Sequence, residues 1–437
     1  MRIVRAARAM AYQRRIEAIL KVRSEFGPPE KRRDYQMNLF NESWARALAT
    51  VPYYRDLAGR LALPAAFSSW DEFKHLVPES NRELVQQHTR EMSSCARKAD
   101  FYRTTGGSTA EPVQLPSWRS EGFYAKSDLW YGRREYGISP SSRLFALWGH
   151  SHLMGQGFRG WINRTERRLR DTLIGFYRYS AYDLTPAAMS RAAEEMLRFK
   201  PDFILGYSVA LDTFARVNSQ LRSELRKLRV KAVIAAAEAF PFSDSVVRLQ
   251  DLFDAPVAME YGSVETNLIA QTRRAGGYEV FWWRYFVELD AKPAPSGGRA
   301  IRVTSLYPRC FPLIRYALGD EIVGGPECES TDGLAQFERV LGRCNDYVTL
   351  RSGERLHSEF FTHAVRACRE IQGYQVAQTP IGVQLSLQGG AECNEETVAR
   401  VKRNLLNVDP RLAPVRVIVV PELVRTRAGK TPMVVSI

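Results

Sequence analysis

Between about residue 140 and residue 340, short apolar runs alternate with stretches of helical periodicity. Phe203-Ile204-Leu205, Val230-Lys231-Ala232-Val233-Ile234 and Pro256-Val257-Ala258-Met259-Glu260 are each the length of a buried strand. This βα alternation predicts a layered α/β domain with ligands near the strand ends. Residues 1 to about 100 read instead as helix after helix, with polar breaks at Gly27-Pro28-Pro29 and around Ser68-Ser69. From about 343 the pattern changes again. Val383-Gln384-Leu385-Ser386-Leu387 alternates as a strand does, Glu395 to Leu406 repeats as a helix, and the apolar run Val415 to Pro421 reads as a buried strand. The fold class expected is therefore α/β, with a large layered N-terminal domain over residues 1–342 and a small α+β domain over 343–437.

Composition narrows the class. With 437 residues, 45% hydrophobic and 25% charged, the chain can bury a sizeable core. No apolar run reaches the roughly 20 residues that span a bilayer. The first residues, Met1 to Met10, are basic but lack the continuous apolar region of a secretory signal, so a cytoplasmic protein is expected. The six cysteines, Cys95, Cys310, Cys328, Cys344, Cys368 and Cys393, form no Cys-x-x-Cys pair and read as reduced thiols. The net charge of +14 points to an anionic partner, yet lysine and arginine are spread along the chain with no nucleic-acid motif beside them, so no specific nucleic acid is expected. Arg2, Arg5, Arg8, Arg14 and Arg15 read as a solvated or packed basic helix, with at most peripheral membrane contact. A homodimer is the default oligomer.

Five short motifs carry candidate chemistry. Thr104-Thr105-Gly106-Gly107-Ser108-Thr109-Ala110-Glu111-Pro112 is small and hydroxyl-rich, so its backbone N–H groups can approach phosphate oxygens. It is no Walker loop, lacking Gly-Lys-Ser/Thr. Tyr261-Gly262-Ser263-Val264-Glu265 puts a ring suited to stacking on a purine before a carboxylate suited to magnesium. In Arg315-Tyr316-Ala317-Leu318-Gly319-Asp320 an aspartate after a glycine turn can accept from two ribose hydroxyls, a plain turn being the bland alternative. Gly342-Arg343-Cys344-Asn345-Asp346-Tyr347 falls where the core pattern ends, and Arg427-Ala428-Gly429-Lys430 sets a cation on a glycine-flexible segment. His150-Ser151-His152 lacks a third ligand and is weak evidence of a metal. Trp282, Trp283 and Tyr285 read as core.

Taken in order, these motifs resemble the layout of the adenylate-forming superfamily, and Gly206-Tyr207-Ser208 and Ala237-Glu238 look closest to its phenylacetate-CoA ligase and CapK-like branch. The resemblance covers residues from about 100 to the end. It implies an AMP-forming ligase using ATP and Mg2+, with coenzyme A a candidate cofactor, that activates a small carboxylate and passes the acyl group to CoA, a carrier protein, an amine or a hydroxyl. Thr105, Gly107, Ser108 and Thr109 would hold the phosphates and Glu265 the magnesium. Tyr261 and Gly262 would lie beside adenine, with Ala237 and Glu238 in the nucleotide or acid pocket. Asp320 would bind the ribose, assisted by Arg343. Lys430 would bridge carboxylate and α-phosphate, and Asn345 would be the hinge of a mobile C-terminal domain. Trp148, Gly149, His150, Gly155 and Tyr207 are candidate acid contacts. Ala110, Val264 and Leu318 depart from the family's usual glycine and threonines. The competing readings are adenylyl transfer to a hydroxyl substrate and a degenerate nucleotide- or partner-binding protein.

Overall fold

The computed structural model describes residues 2–104, 113–148, 157–181, 184–242, 244–294, 297–324, 333–343, 347–351, 353, 355–358, 361, 364–365, 368, 370–390, 392–425 and 431–437. Five helices open the chain, Arg2–Phe26, Pro29–Thr50, Pro52–Leu61, Trp70–Leu76 and Arg82–His88, as the periodicity predicts. The break at Gly27-Pro28 ends the first, and a proline in the first turn starts each of the next two, where its missing N–H costs nothing. At the second predicted break, Ser69 caps the fourth helix by accepting from the Glu72 N–H at 3.1 Å, while the Glu72 carboxylate accepts from the Ser68 N–H at 2.7 Å. The second helix buries Gln36, Met37, Phe40, Trp44 and Ala47, one stripe at three- and four-residue spacing. Its arginine-rich predecessor packs as well. Arg8 lies 4.9 Å from the Phe176 ring, Arg15 lies 4.8 Å from Phe123, and Arg23 lies 5.4 Å from Tyr131 while pairing with Glu279.

The strands follow in chain order. A hairpin of β1 (Phe101–Thr104) and β2 (Gln114–Ser117) precedes the main sheet, which takes in β3 (Leu144–Leu147), β4 (Phe176–Tyr179), β5 (Phe203–Tyr207), β6 (Val233–Ala236), β7 (Val257–Ser263), β8 (Asn267–Thr272), β9 (Tyr278–Val280) and β13 (Gln336–Phe337). Its order is β13-β9-β8-β7-β6-β5-β3-β4, parallel from β4 to β7 and antiparallel beyond. The parallel strands are apolar at nearly every position because both faces are covered. Leu144, Ala146, Phe203, Ala232 and Ile234 face the core shared with the N-terminal helices. Phe145, Leu147, Ile204, Val233 and Ala235 face a second core under the helices Pro186–Phe199, Ser208–Val217 and Ser245–Phe253. The second sheet is antiparallel, β10 (Tyr285–Leu289), β11 (Arg299–Ser305), β12 (Tyr316–Val323) and β14 (Arg339–Arg343). Trp282 and Trp283 lie in the turn before β10 and Tyr285 begins that strand, all three buried, so the aromatic run is core.

The small C-terminal domain has its own apolar core, from Val348 to Val417. It holds the pair β15 (Tyr347–Thr349) and β16 (Arg355–His357), and a sheet ordered β19-β18-β17-β20 from β17 (Ile371–Thr379), β18 (Gly382–Gly389), β19 (Arg416–Val420) and β20 (Val434–Ser436). The helix Glu395–Val408 packs on β19 and matches its expected span. Two expectations need correction. The run Val415 to Pro421 does form a strand, β19, but at the sheet edge, so Val417 is buried while Val419 is 42% exposed. And Arg315 to Asp320 is not a turn: it leads into β12, where Gly319 takes φ +77° and the register slips between Glu321 and Ile322.

Candidate functional site

The candidate site lies at the carboxyl ends of the parallel strands, where helices leave the sheet. Tyr207 ends β5 opposite Ala236, and Ala236 in turn stands opposite Glu260 of β7. Trp148 follows β3 directly, with its ring centroid 4.2 Å from that of Tyr207. Trp148, Tyr207, Ala237 and Tyr261 thus form a row along one edge, about 14 Å long from three strand intervals of roughly 4.8 Å. Behind it Arg133 holds Glu260 with two hydrogen bonds, at 2.6 and 3.0 Å.

Ala237 adopts φ +77°, a left-handed conformation unfavourable for a residue with a Cβ. The kink turns the chain so that Glu238 reaches the start of the helix Ser208–Val217. Its carboxylate accepts from the Val209 N–H at 3.2 Å and its carbonyl from the Ser208 hydroxyl at 2.7 Å. Glu238 therefore caps that helix with a negative charge.

Tyr261 is 8% exposed and its hydroxyl donates to Asp320 Oδ2 at 2.8 Å, joining the main sheet to β12 of the second sheet. Its ring meets Tyr278 and Phe337 edge-on. Asp320 stands opposite Arg343 in the β12–β14 register, so those two motifs converge as backbone neighbours. Gly262 allows the chain to return as β8, since a Cβ there would lie 2.1 Å from the Asn267 carbonyl oxygen. Leu318 is buried in the core, which accounts for an apolar residue at that departure.

Glu265 follows in the turn after β7, 8% exposed. Its Oε1 lies 3.5 Å from the Tyr316 hydroxyl and 3.8 Å from Arg82 Nη1, both long contacts. A buried carboxylate presents the oxygen ligands that a divalent metal takes. Among the described residues no group of three or more histidine, cysteine or acidic side chains could hold a metal by itself.

The structure thus joins Tyr261 to Asp320, with Arg343 placed by its backbone, keeps Gly262 in β7 and Glu265 in the turn after it, and sets Trp148, Tyr207, Ala237 and Glu238 along the adjoining edge. Thr105, Gly107, Ser108, Thr109, His150, Gly155, Asn345 and Lys430 lie outside the described residues. Sequence reasoning missed a set of charged groups around the Glu265 turn, the buried Glu121 and Arg309 and the half-buried Arg82 and Arg103. Charged residues in an otherwise apolar stretch, such as Arg309 before Cys310-Phe311-Pro312-Leu313-Ile314, were the available signal.

No protein-family model and no curated protein matches the chain. Solved structures do match. A 2-hydroxyisobutyryl-CoA ligase in the postadenylation state, in complex with R3-HIB-AMP, superposes with a TM-score of 0.71 at 16% identity over 95% of this chain and 91% of that one. The same ligase with 2-HIB-AMP and CoA in the thioesterification state gives 0.58 at 17% identity over 95% and 91%. An ATP-bound RpMatB-BxBclM chimera gives 0.50 at 15% identity over 77% and 68%. The likeness is one of fold: a large layered α/β body and a small C-terminal domain, as in adenylate-forming ligases.

Proposed function

We propose that this chain is an AMP-forming ligase that converts a small carboxylic acid and ATP to an acyl-adenylate and pyrophosphate, then passes the acyl group to an acceptor. The observation that carries the reading is the buried Tyr261–Asp320 hydrogen bond of 2.8 Å, at the strand ends of a ligase-like fold. A carboxylate paired to a tyrosine keeps acceptor capacity for two vicinal ribose hydroxyls. With Asp320 on the ribose, Glu265 would serve the phosphates through magnesium, and the acid would occupy the Trp148–Tyr207 end.

In the first half-reaction a carboxylate oxygen attacks the α-phosphorus and pyrophosphate leaves, so no protein nucleophile is needed. Magnesium, held by Glu265, would neutralise charge on the phosphate oxygens. Lys430 would stabilise the carboxylate and α-phosphate together, and one such donor contributes about 3 kcal/mol to a transition state. We further propose that the division between domains falls at 342/343, that Asn345 is the hinge, and that the small domain moves between half-reactions. The 2-hydroxyisobutyryl-CoA ligase neighbours, some with acyl-AMP and CoA bound, support coenzyme A as acceptor. The motif style supports the phenylacetate-CoA ligase and CapK-like branch, and the scattered cysteines support a cytoplasmic site of action.

The test is pyrophosphate release by the purified chain with ATP and magnesium, across aryl, fatty, hydroxy and amino acids. Release confined to one acid class and lost in Lys430→Ala is expected. ATP binding with no acid-dependent release would favour a degenerate binding protein, and a stable adenylylated product would favour transfer to a hydroxyl.

A further inference from the structure

Glu121 is wholly buried, at 0% exposure, in the first turn of the helix Glu121–Arg133. Its Oε1 accepts from the Trp118 N–H at 2.8 Å and the Cys310 N–H at 3.0 Å. Its Oε2 lies 3.2 Å from Arg103 Nη2 and 3.7 Å from Arg309 Nε. The two arginines then reach the same turn: Arg103 Nη1 donates to Asn267 Oδ1 at 2.5 Å, and Arg309 Nη2 donates to the Glu265 carbonyl. Asn267, at φ +67°, closes that turn and donates to the Tyr307 hydroxyl at 3.2 Å. One carboxylate therefore ties together β1, which ends immediately before the expected phosphate loop, the 118 and 309–310 segments and the turn carrying Glu265.

The arrangement is specific to arginine. Burial opposes the charge of Arg309, but Tyr307, Glu121, Tyr285 and Glu265 together hold its pKa above the ordinary arginine value. Its planar fork reaches the Glu121 carboxylate through Nε and the Glu265 carbonyl through Nη2.

We propose that Arg309 is a positioning residue for Glu265, and that Glu121 is the anchor holding the phosphate-loop hairpin and the Glu265 turn in one frame. This rests on the reading of Glu265 as the magnesium ligand. A group that orients a metal-binding carboxylate changes metal-dependent affinity more than affinity for the nucleotide alone.

The test is ATP binding by the full chain, measured calorimetrically with excess magnesium and again with EDTA. Wild type is expected to bind more tightly with magnesium. Arg309→Lys and Arg309→Met should lose about tenfold or more of that magnesium-dependent gain, with metal-free affinity held to about twofold, as for supporting groups around metal sites. Glu121→Gln keeps an acceptor for Trp118 and Cys310 but drops the charge, and should show the same selective loss, which decides the matter if Arg309→Met fails to fold. Glu265→Gln should abolish the gain, and adding Arg309→Lys to it should change nothing further.

If Glu265→Gln abolishes the gain while Arg309→Lys and Glu121→Gln retain it, the positioning role is overturned and the Glu265 reading stands. Equal loss of affinity with and without magnesium would make Arg309 merely structural and also overturn it. If wild type shows no magnesium-dependent gain, or Glu265→Gln keeps one, the Glu265 reading fails and the proposal with it.

Discussion

Ala237 holds φ +77° without the freedom of glycine, and it does so one residue before Glu238 caps the helix Ser208–Val217. Strain of this kind persists where surrounding contacts over-determine the backbone, and such positions gather at functional sites. Ala237→Gly should relieve it and stabilise the fold by about 0.5–1 kcal/mol, net of the entropy that glycine adds to the unfolded chain. Urea denaturation measures this, and a destabilised variant would show that the Ala237 side chain contributes packing that outweighs the strain. At this scale the sequence was legible only where a residue type is unusual for its surroundings. Ala237 and Glu238 could be named as a pair from the motif, but nothing in the letters indicates a left-handed alanine. Glu121 and Arg309 escaped notice because their partners, Arg103, Asn267 and Glu265, come from segments far apart in the chain.

Elements were easier to read than their surroundings. The helix Glu395–Val408 begins where Asn394 accepts from the N–H groups of Glu396 and Thr397, at 3.0 and 3.2 Å. That is a cap visible in sequence as Asn before two glutamates and an apolar stripe. Asn394→Ala should cost about 1 kcal/mol, the usual worth of such a cap, seen as a lower midpoint of denaturation at unchanged slope. An unchanged midpoint would mean that the helix start is fixed by tertiary packing alone. The parallel strands were legible from their apolar runs, because both faces are covered. The two misreadings have one cause: local pattern does not carry sheet position. In Val415 to Pro421 the marks of an edge, Arg416 and Pro421, were outweighed by the apolar residues between them, and Gly319-Asp320 looked like a turn because a left-handed glycine inside a strand leaves the same signature.

At the scale of the whole molecule, the two domains meet at a few named contacts. Arg216, on the helix Ser208–Val217, pairs with the buried Asp212 at 3.0 Å and donates to the carbonyls of Ile371, at 2.9 Å, and Gln372 at the start of β17. Its guanidinium also lies over the Phe242 ring at 4.9 Å, and Phe242 packs with the small domain's core. Arg216→Ala removes both the fork and the stem packing. It should raise proteolytic cleavage between the domains severalfold, beyond the large domain's own loss of stability from the weakened Asp212 pair, and equal cleavage would show that Arg216 does not hold the domains together. Fold class was readable from the changes of periodicity near 100 and 340, whereas this docking joins residues about 155 apart.

The central claim is that a carboxylate oxygen attacks the α-phosphorus of ATP. The most direct measurement uses the acid that drives pyrophosphate release, isotopically labelled in both carboxylate oxygens, and determines the mass of the AMP formed once the acyl group has been transferred. Acyl-adenylate chemistry predicts AMP carrying one labelled oxygen, because the bridging oxygen stays with phosphorus when the acyl group leaves. Unlabelled AMP, with both labelled oxygens kept by the acid-derived product, would contradict it.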